Sequence, residues 1–486
     1  MGSIMANPPS LQLLERLAAR LGPKGYTDDP DTMAPWLTDW RRRYQGAAAA
    51  MLSPATPAEV VDIVRLCADA RVPIVPQGGN TSMVAGATPG EAGDSLLLSM
   101  RRMKTVRSMS PEGAVCEAGV VLADLHDAAA KAGRRFPLTL GAKGSATVGG
   151  LISTNAGGTQ VLRFGTMRGL VQGIEAVLPD GSLFEGLAPL KKDNRGYDLR
   201  QLLIGAEGTL GIVTAANLKL VPAIGSRAVA WVGLATAENA LSLLRLLEER
   251  TGEAVESFEL VPKIALDLVL AHVPGTRPPF EGSHDWHVLI EATAPKDEPE
   301  PDERLSEVLA AALEAGLAED AVVAASEAQA EGFWRIRDSI SEAEQKGGPN
   351  AKHDVSVEVS AMPRFIDEAT AAVEARFPGT SVIAFGHLGD GNVHFNVQGP
   401  DGVGREWLQG EAMAVTALVH DLVTAAGGSI SAEHGIGQVR LGELARLGDP
   451  ARLGAMRAIK RALDPLGIMN PGKLVPPFDP AQESLA

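Results

Sequence analysis

Three glycine-rich clusters in the first half of this chain constrain its fold more than any other feature. They read PQGGNTSMVAGA at 76–87, GAKGSATVGGLISTNAGG at 141–158 and GAEGTLGIVT at 205–214. Glycine clusters let backbone N–H groups approach a phosphate closely. A single cluster is most simply a tight turn, but three of them in one α/β half favour a nucleotide-binding cradle.

The segments around these clusters predict alternating helices and strands. Thr56, Pro57 and Glu59 suit the cap, the first position and the acidic third position of a helix. The strand pattern VPIVPQ follows that helix, and GAVCEAGVVLADLHDAAAKAG repeats the strand-then-helix order. Neither GxGxxG nor GxxxxGK[ST] occurs, so a Rossmann dinucleotide loop and a P-loop are both unsupported. A second α/β section spans 226–425, and glycine-rich loops return after it.

Composition excludes several kinds of partner. The chain has 486 residues, 45% of them apolar and 21% charged, as in soluble globular proteins of two or three domains. Its formal net charge of -16 argues against nucleic acid and anionic membrane surfaces, and no apolar run is long enough to span a bilayer. Cys67 and Cys116 lack metal-type spacing, and the start of the sequence lacks a signal-peptide core. We therefore expect a reduced, cytoplasmic protein.

The stretch GHLGDGNVHFNV, at 386–397, predicts a β-hairpin. The Asp-Gly pair at 390–391 tolerates positive φ angles, which is typical of a two-residue turn. In that register His387 lies opposite His394, with Cβ atoms roughly 4.5–5.5 Å apart. Asn396 would share their face of the strand. Two imidazoles on a stiff hairpin can chelate a metal, although they can also be ordinary polar strand residues.

A carboxylate and a third histidine occur later, in SAEHGIG. Glu433 and His434 are neighbours, and adjacent side chains of an extended segment point to opposite faces. Glu433 could then ligate a metal while His434 turns toward a substrate; the alternative is a surface loop. Two histidines and one carboxylate form a common catalytic metal set, which admits manganese, cobalt or ferrous iron as well as zinc.

Seven motifs of the chain resemble one known flavoprotein family in content and order. They are PQGGNTSMVAGA, GAKGSATVGGLISTNAGG, RFGTMRGLVQGIEAVLPDGS, GYDLRQLLIGAEGTLGIVT, GHLGDGNVHFNV, SAEHGIG and NPGKL. This order is similar to that of FAD-linked 2-hydroxyacid dehydrogenases of the vanillyl-alcohol-oxidase type, from about Thr56 to Lys473. Within the family the chain resembles the D-2-hydroxyglutarate dehydrogenases most, with FAD-dependent D-lactate dehydrogenases as near relatives.

The resemblance implies an α+β fold of three parts. A PCMH-type FAD-binding domain carries an inserted α/β substrate domain, or cap, and a small C-terminal helical segment. The expected boundaries are 1–225 for the FAD-binding domain, 226–425 for the substrate domain and 426–486 for the segment that completes the active site.

By the same resemblance, residues of the glycine clusters bind FAD. The matching positions are Pro76, Gln77, Gly78, Gly79, Asn80, Thr81, Gly86, Ser145, Gly149, Gly150, Thr154, Asn155, Gly158, Glu207, Gly208, Gly211, Ile212 and Asn470. Some relatives attach the flavin covalently through a histidine of the first cluster. This chain has Asn80 there, so we expect non-covalent FAD.

The resemblance also assigns an active site. The matching positions are His387, His394 and Glu433 for a divalent metal, usually zinc, His434 for the catalytic base, and Arg337, Ser341, Lys352 and Asn396 for the substrate. Arginine binds carboxylates through two parallel N–H···O bonds, and Ser341 follows Arg337 by one helical turn on the same face. A second cation, Lys352, favours a dicarboxylate, whereas Arg335 and Lys346 fit solvated helix faces.

We therefore expect an FAD- and divalent-metal-dependent dehydrogenase that oxidises a D-2-hydroxyacid, above all D-2-hydroxyglutarate, to its 2-oxoacid. Hydride would pass from C2 to flavin N5, with an electron-transfer flavoprotein or a quinone-linked carrier as the final acceptor; a homodimer is compatible with the sequence. The alternatives are an FAD-dependent D-lactate dehydrogenase or glycolate oxidase subunit, a non-redox transferase resembling alkylglycerone-phosphate synthases, and a flavin-binding subunit without activity of its own.

Overall fold

The chain passes twice from one folding unit into a second and returns each time, as seen in a computed structural model that describes residues 8–296 and 298–477. The first unit combines the chain up to Gly157, Thr166–Pro222 and the chain from Glu433 onward. The second combines the excursion Gly158–Gly165 with Ala223–Ala432. The boundaries thus fall at Pro222 and Ala432, against the expected 225 and 425, and the excursion has no counterpart among the sequence predictions.

The described residues form helices and strands that are numbered here in chain order. The helices are α1 (Leu11–Leu21), α2 (Pro30–Leu37), α3 (Pro57–Ala70), α4 (Leu122–Lys131), α5 (Val148–Thr154), α6 (Val161–Phe164), α7 (Met167–Leu170), α8 (Leu199–Leu203), α9 (Ala237–Thr251), α10 (Lys263–His272), α11 (Pro301–Glu314), α12 (Glu327–Asp338), α13 (Ile340–Ala343), α14 (Met362–Arg376), α15 (Glu411–Ala425), α16 (Leu441–Leu447) and α17 (Pro450–Leu463). The strands are β1 (Tyr26–Thr27), β2 (Met51–Leu52), β3 (Ile74–Gln77), β4 (Leu96–Ser99), β5 (Val106–Met109), β6 (Gly113–Glu117), β7 (Arg134–Arg135), β8 (Val171–Val177), β9 (Leu183–Gly186), β10 (Ile212–Lys219), β11 (Val221–Pro222), β12 (Ile224–Leu234), β13 (Val255–Pro262), β14 (Trp286–Pro295), β15 (Asp320–Val323), β16 (Asn350–Ser356), β17 (Ser381–His387) and β18 (Asn392–Gln398).

The first unit contains two main sheets. The smaller has the order β1-β2-β4-β3, with parallel pairing of β4 to both β2 and β3. The larger is antiparallel, in the order β5-β6-β10-β8-β9. Helix α3 begins as its sequence predicts, because the Thr56 hydroxyl accepts a hydrogen bond of 3.2 Å from the N–H of Glu59. Its apolar stripe enters the core beside β3 and β4 through Val60, Ile63, Val64 and Cys67.

The C-terminal helices belong to this first unit. The amine of Lys460, on α17, donates to the carbonyls of Thr209 at 2.7 Å and Met469 at 2.8 Å, and pairs with Asp464 at 2.5 Å. Lys460 therefore joins α17 to the loop before β10. The small C-terminal helical segment expected from the sequence is present as α16 and α17.

The second unit is built on one antiparallel sheet of seven strands, in the order β15-β12-β14-β13-β17-β18-β16. One face packs against α10, α12 and α13 in a core that includes Trp231, Phe333 and Phe385. On the opposite face Phe395 contacts Phe365 of α14, with ring centroids 6.0 Å apart. Because helices cover both faces of this sheet, the strand side chains that point to either face are buried.

The excursion joins the rest of the second unit through a partly buried ion pair. Arg163, on α6, donates to the carboxylate of Glu256 at 2.8 Å and to the hydroxyl of Thr293 at 3.1 Å. Leu162 also packs so closely on Gly389 that a Cβ there would lie 2.7 Å from the leucine side chain. No helix formed by the described residues is long and apolar enough to cross a membrane.

Candidate active site

The first two glycine clusters meet where strand β3 ends. A Cβ at Gly79 would lie 1.8 Å from the carbonyl oxygen of Ser145, and one at Gly78 would lie 2.2 Å from the Thr147 hydroxyl. Only glycine permits this approach of two backbones. The two loops therefore present their backbone groups side by side, as a phosphate-binding cradle requires.

The side chains next to this cradle are fixed by backbone carbonyls. The amide of Gln77 donates to the carbonyls of Trp36 and Ala87, both at 2.9 Å. The amide of Asn80, a residue with φ of 54°, donates to the carbonyl of Thr38 at 2.9 Å. The backbone at the end of α2 therefore fixes the Asn80 side chain, and non-covalent attachment of FAD stays a prediction.

Asn470 connects the first cluster, the third cluster and the C-terminal part of the chain. Its amide donates to the carbonyls of Gly86 at 2.9 Å and Glu207 at 2.7 Å. The carboxylate of Glu207 in turn accepts from the N–H groups of Ile436 and Gly437, both at 2.8 Å. Burial raises the pKa of Glu207, and these two N–H groups oppose that rise. The Glu207 side chain thus joins two loops of the protein.

The other predicted cofactor residues follow the same loops. Their places are Pro76 in β3, Thr81 just after Asn80, Gly149, Gly150 and Thr154 in α5, Asn155 at the left-handed end of α5, Gly208 and Gly211 before β10, and Ile212 as its first residue. Gly158 is the exception, since it begins the excursion that belongs to the second unit.

Two observations favour these loops as a binding site for a dinucleotide. The glycine contacts leave no room for side chains between the loops. Among the described residues, the Thr147 hydroxyl and the carbonyl oxygen of the Asn470 side chain are buried without a hydrogen-bond partner. Buried polar atoms are rarely left in that state, so these two are suited to bind polar groups of a ligand.

The hairpin of the second unit has a different register from the predicted one. His387 pairs with Asn392, and His394 pairs with Phe385. The predicted two-residue turn is wrong because a helical turn at Leu388–Asp390 and a left-handed Gly391 form a four-residue loop. The register moves by an even number of residues, and strand side chains alternate with a period of two. Both histidines consequently stay on one face, as diagonal neighbours.

Each imidazole of the hairpin has a carboxylate beside it. The ring centroids of His387 and His394 are 5.5 Å apart, and a nitrogen of each ring lies within 4.8 Å of the other. Nδ1 of His387 is 2.7 Å from Glu259, and Nδ1 of His394 is 4.0 Å from Asp354. The hydrogen bond at Nδ1 of His387 directs its Nε2 toward a metal, as is common in metal centres, whereas the separation at His394 exceeds hydrogen-bond length.

The predicted substrate-binding cations are also paired with carboxylates. Arg337 donates to Glu259 at 2.7 Å, and Lys352 donates to Glu344 at 2.9 Å. Asn396 donates to both oxygens of Glu344, at 2.9 and 3.0 Å. Lys352, His394 and Asn396 share one face of the sheet, since Lys352 pairs directly with Asn396 in the strand register.

Ser341 lies apart from its predicted helix. Helix α12 ends at Asp338, and Ser341 belongs to the separate short helix α13. The exposed Ser341 offers its backbone carbonyl to Lys352 at 3.2 Å. The expectation that Arg337 and Ser341 occupy one continuous helix face is therefore wrong.

Two functional candidates, Glu259 and Glu344, escaped the sequence analysis. Both side chains are at most 1% exposed. For Glu259 the available signal was an acidic residue within an apolar strand pattern, VESFELVP, which also contains Glu256, because charged residues are rarely buried without a partner.

Glu433 and His434 lie in a bend, where a strand-like segment was expected. They open the last piece of the first unit. The preceding residue, Ala432, donates its N–H to the carbonyl of Asp354 at 3.2 Å.

Two family models match the chain. The model described as "FAD binding domain" matches residues 48–186, and "FAD linked oxidases, C-terminal domain" matches residues 225–474. Together they cover most of the described residues of both units. FAD is therefore the cofactor of this family fold, as the sequence predicted.

Curated relatives align over nearly the whole chain. "D-2-hydroxyglutarate dehydrogenase, mitochondrial" of Arabidopsis thaliana is 37% identical over 94% of this chain and 80% of its own length. "D-2-hydroxyglutarate dehydrogenase" of Xanthomonas citri pv. viticola is 36% identical over 93% of this chain and 94% of its own. "Putative D-lactate dehydrogenase C713.03, mitochondrial" of Schizosaccharomyces pombe is 32% identical over 92% and 85%.

Solved structures agree on the fold at much lower identity. p-Cresol methylhydroxylase superposes with a TM-score of 0.73 at 15% identity, over 96% of both chains. Alkyldihydroxyacetonephosphate synthase gives 0.71 at 17%, over 96% of this chain and 86% of that one. The predicted PCMH-type α+β fold is confirmed. The chain belongs to the family of FAD-linked oxidases that includes the D-2-hydroxyglutarate dehydrogenases, and it is an FAD-dependent oxidoreductase.

Proposed function

We propose that this protein oxidises D-2-hydroxyglutarate to 2-oxoglutarate with FAD and a divalent cation, zinc by preference. The observation that carries the proposal is the polar face formed by β13, β16, β17 and β18. Two imidazoles there are neighbours of an arginine and a lysine, and buried carboxylates anchor one of the imidazoles and both cations. Such a face can bind a cation and a dicarboxylate side by side.

His387, His394 and Glu433 are the proposed cation ligands. Glu259 leaves Nε2 of His387 for the cation, and the T-shaped ring pair brings His394 close to it. Glu433 directly follows Ala432, which is hydrogen-bonded to Asp354 beside His394 in the strand register. Two histidines and one carboxylate leave coordination positions for a substrate.

His434 is the proposed base that takes the proton of the substrate hydroxyl. When bound, FAD accepts a hydride from C2, and the divalent cation lowers the pKa of the hydroxyl that it polarises. An imidazole is the side chain best suited to remove a proton near neutral pH. Arg337, Ser341, Lys352 and Asn396 orient the two carboxylates, so that C2 is held in one reactive pose.

D-2-hydroxyglutarate is preferred over D-lactate because two cations are available. Arg337 can bind the carboxylate next to C2, and Lys352 can bind the distal one. D-Lactate lacks the distal carboxylate and would leave Lys352 with Glu344 alone. The names of the Arabidopsis and Xanthomonas relatives support the dicarboxylate, whereas the name of the S. pombe relative supports D-lactate.

The test is anaerobic bleaching of the flavin absorbance by a panel of D- and L-2-hydroxyacids, before and after treatment with a chelator. We expect D-2-hydroxyglutarate to bleach the flavin fastest, its L-enantiomer to leave it oxidised, and chelation to stop bleaching until zinc is restored. Full-speed bleaching after removal of the cation would refute the cation's role. Bleaching by no D-2-hydroxyacid would refute the whole proposal.

The remaining expectations stay predictions with direct measurements. Reduction of purified electron-transfer flavoprotein or of a quinone analogue by the isolated protein identifies the acceptor, and turnover by the isolated chain excludes an inactive subunit. Light scattering measures the predicted homodimer. Fractionation of cells distinguishes the predicted cytoplasm from the mitochondrion, which is the compartment in the name of the Arabidopsis relative. For the transferase alternative, the likeness at 17% identity supports the fold alone.

A further inference from the structure

One buried carboxylate contacts both a proposed cation ligand and a proposed substrate-binding cation. Glu259, on β13, lies 2.7 Å from Nδ1 of His387 through one oxygen and accepts from Nε of Arg337 at 2.7 Å through the other. Its side chain is 1% exposed. Glu259 pairs with His387 in the strand register, so their placement is set by the sheet.

A second set of contacts links Arg337 to the other imidazole of the hairpin, that of His394. The guanidinium of Arg337 lies 5.4 Å from the ring of Phe385, and that ring lies 5.0 Å from the ring of His394. Arg337 is thus held between Glu259 and Phe385, each of which also touches one of the two imidazoles. A movement of Arg337 would therefore change the surroundings of both histidines.

A carboxylate is the only side chain that suits this position. Arg337 donates, and Nδ1–H of His387 also donates whenever Nε2 is the ligand nitrogen. Two acceptor oxygens with a shared negative charge satisfy both donors. A carboxamide would offer one acceptor and one donor, so one bond would be lost and the other would lose its charge assistance.

We propose that Glu259 is a positioning residue shared by the two halves of the active site: it holds His387 for the cation and Arg337 for the substrate carboxylate, and thereby couples the two affinities. The inference rests on the function proposed above. It adds a residue outside the ligand and substrate sets, and it makes cation binding depend on the same side chain as substrate recognition.

Glu344 provides a matched control within the same unit. It is equally buried, with 0% exposure of the side chain, and it contacts Lys352 and Asn396. Among the residues that the structure describes, the Glu344 carboxylate accepts hydrogen bonds from these proposed substrate-binding groups alone. A change at Glu344 should therefore weaken substrate binding and leave cation binding as it is.

The experiment compares Glu259→Gln and Glu344→Gln as holoproteins. The zinc Kd is measured without substrate, by competition with a chromophoric chelator, and KM and kcat for D-2-hydroxyglutarate are measured at saturating zinc. For Glu259→Gln we expect a 10–100-fold higher zinc Kd together with a KM raised on the order of tenfold. For Glu344→Gln we expect the higher KM with a zinc Kd within twofold of wild type. In cobalt-substituted protein, Glu259→Gln alone should shift the visible spectrum.

Loss of only one of the two affinities in Glu259→Gln would overturn the shared role, as would an equal loss of zinc affinity in Glu344→Gln. If Glu259→Gln loses its bound flavin, Glu259→Asp replaces it, because the shorter side chain cannot span both partners; unchanged affinities in that variant would also overturn the inference. If wild-type protein binds no zinc, the proposed function fails together with this inference. If wild-type protein binds zinc and only the Glu259 variants depart from expectation, the inference alone fails.

Discussion

Two buried carboxylates, Glu259 and Glu344, determine where the polar side chains of the second unit can point. Burial alone raises the pKa of Glu259, but the charges of His387 and Arg337 outweigh it and lower that pKa to about 2. An ionised carboxylate then neutralises Arg337 before any substrate arrives. A substrate carboxylate must join this network, so substitutions within it should change substrate specificity.

The variant His434→Ala tests the proposed base. Removal of the imidazole removes the proposed acceptor of the hydroxyl proton, so anaerobic flavin reduction should slow on the order of 10²–10⁴-fold. FAD absorbance and zinc content should stay at wild-type levels. The control is His272→Ala, an exposed histidine at the end of α10, for which no slowing is expected. Unchanged stopped-flow reduction in His434→Ala would remove His434 as the base.

Lys352→Met tests the preference for a dicarboxylate. A charged hydrogen bond contributes roughly 1.5–3 kcal/mol, so the KM for D-2-hydroxyglutarate should rise about 10–100-fold. D-Lactate has no distal charge, and its KM should change less than about twofold. Lys346→Met, at an exposed position six residues earlier, should change neither KM. Equal effects of Lys352→Met on both substrates would contradict the assignment.

At the scale of elements, the β17–β18 hairpin gives the two imidazoles their spacing. Its four-residue loop ends at Gly391, which has φ of +78°. A Cβ at that position would lie 2.1 Å from the carbonyl oxygen of Val357. The loop therefore depends on glycine for its backbone conformation and for its contact with the residue that follows β16.

Gly391→Ala should destabilise the second unit by roughly 2–5 kcal/mol, since it combines left-handed strain with a backbone clash. The displaced loop should also weaken zinc binding. Gly402→Ala is the matched control, because Gly402 has a similar φ of +79° but no atom within 4 Å of an added Cβ. It should cost about 1–2 kcal/mol and leave the zinc Kd unchanged. Equal thermal midpoints for the two variants would contradict the role of the Val357 contact.

At the scale of the whole molecule, stability should depend on a histidine outside the active site. His287 on β14 is 2% exposed and stacks on Phe280 with ring centroids 5.9 Å apart. Burial, together with nearby His284 and Lys263, lowers the pKa of His287 to about 4, and Asp267 partly opposes this shift. In the folded protein the imidazole of His287 therefore stays neutral at pH values at which it is protonated in the unfolded chain.

The sign of the pH effect follows from linkage. Below a pH of about 6.5 the unfolded chain binds a proton at this histidine, whereas the folded protein binds it only near pH 4. The free energy of unfolding should therefore fall with falling pH across this window, by about 2 kcal/mol at pH 5. His287→Leu should remove that part of the difference between thermal midpoints at pH 7 and pH 5. An identical pH dependence in His287→Leu and wild type would contradict it.

Local patterns were enough to predict much of the fold and part of the site. The cap of α3, the three glycine clusters and the shared face of His387 and His394 depend on residues close in sequence, whose stereochemistry is short-ranged. The hairpin register was mispredicted because Asp-Gly favours a two-residue turn, while this loop takes a helical turn before its left-handed glycine. The contacts of Glu259 and the contact of Glu344 with Asn396 were missed, since these partners are remote in the chain.

The sequence by itself determined the family, the cofactor and the residue types of the candidate site, because short motifs and their order carry that information. Tertiary structure alone decided which charges neutralise each other. Glu259 meets Arg337 across 78 residues and His387 across 128. Such pairs form only when a sheet brings distant strands and helices together, and burial then makes an unpaired charge too costly to keep.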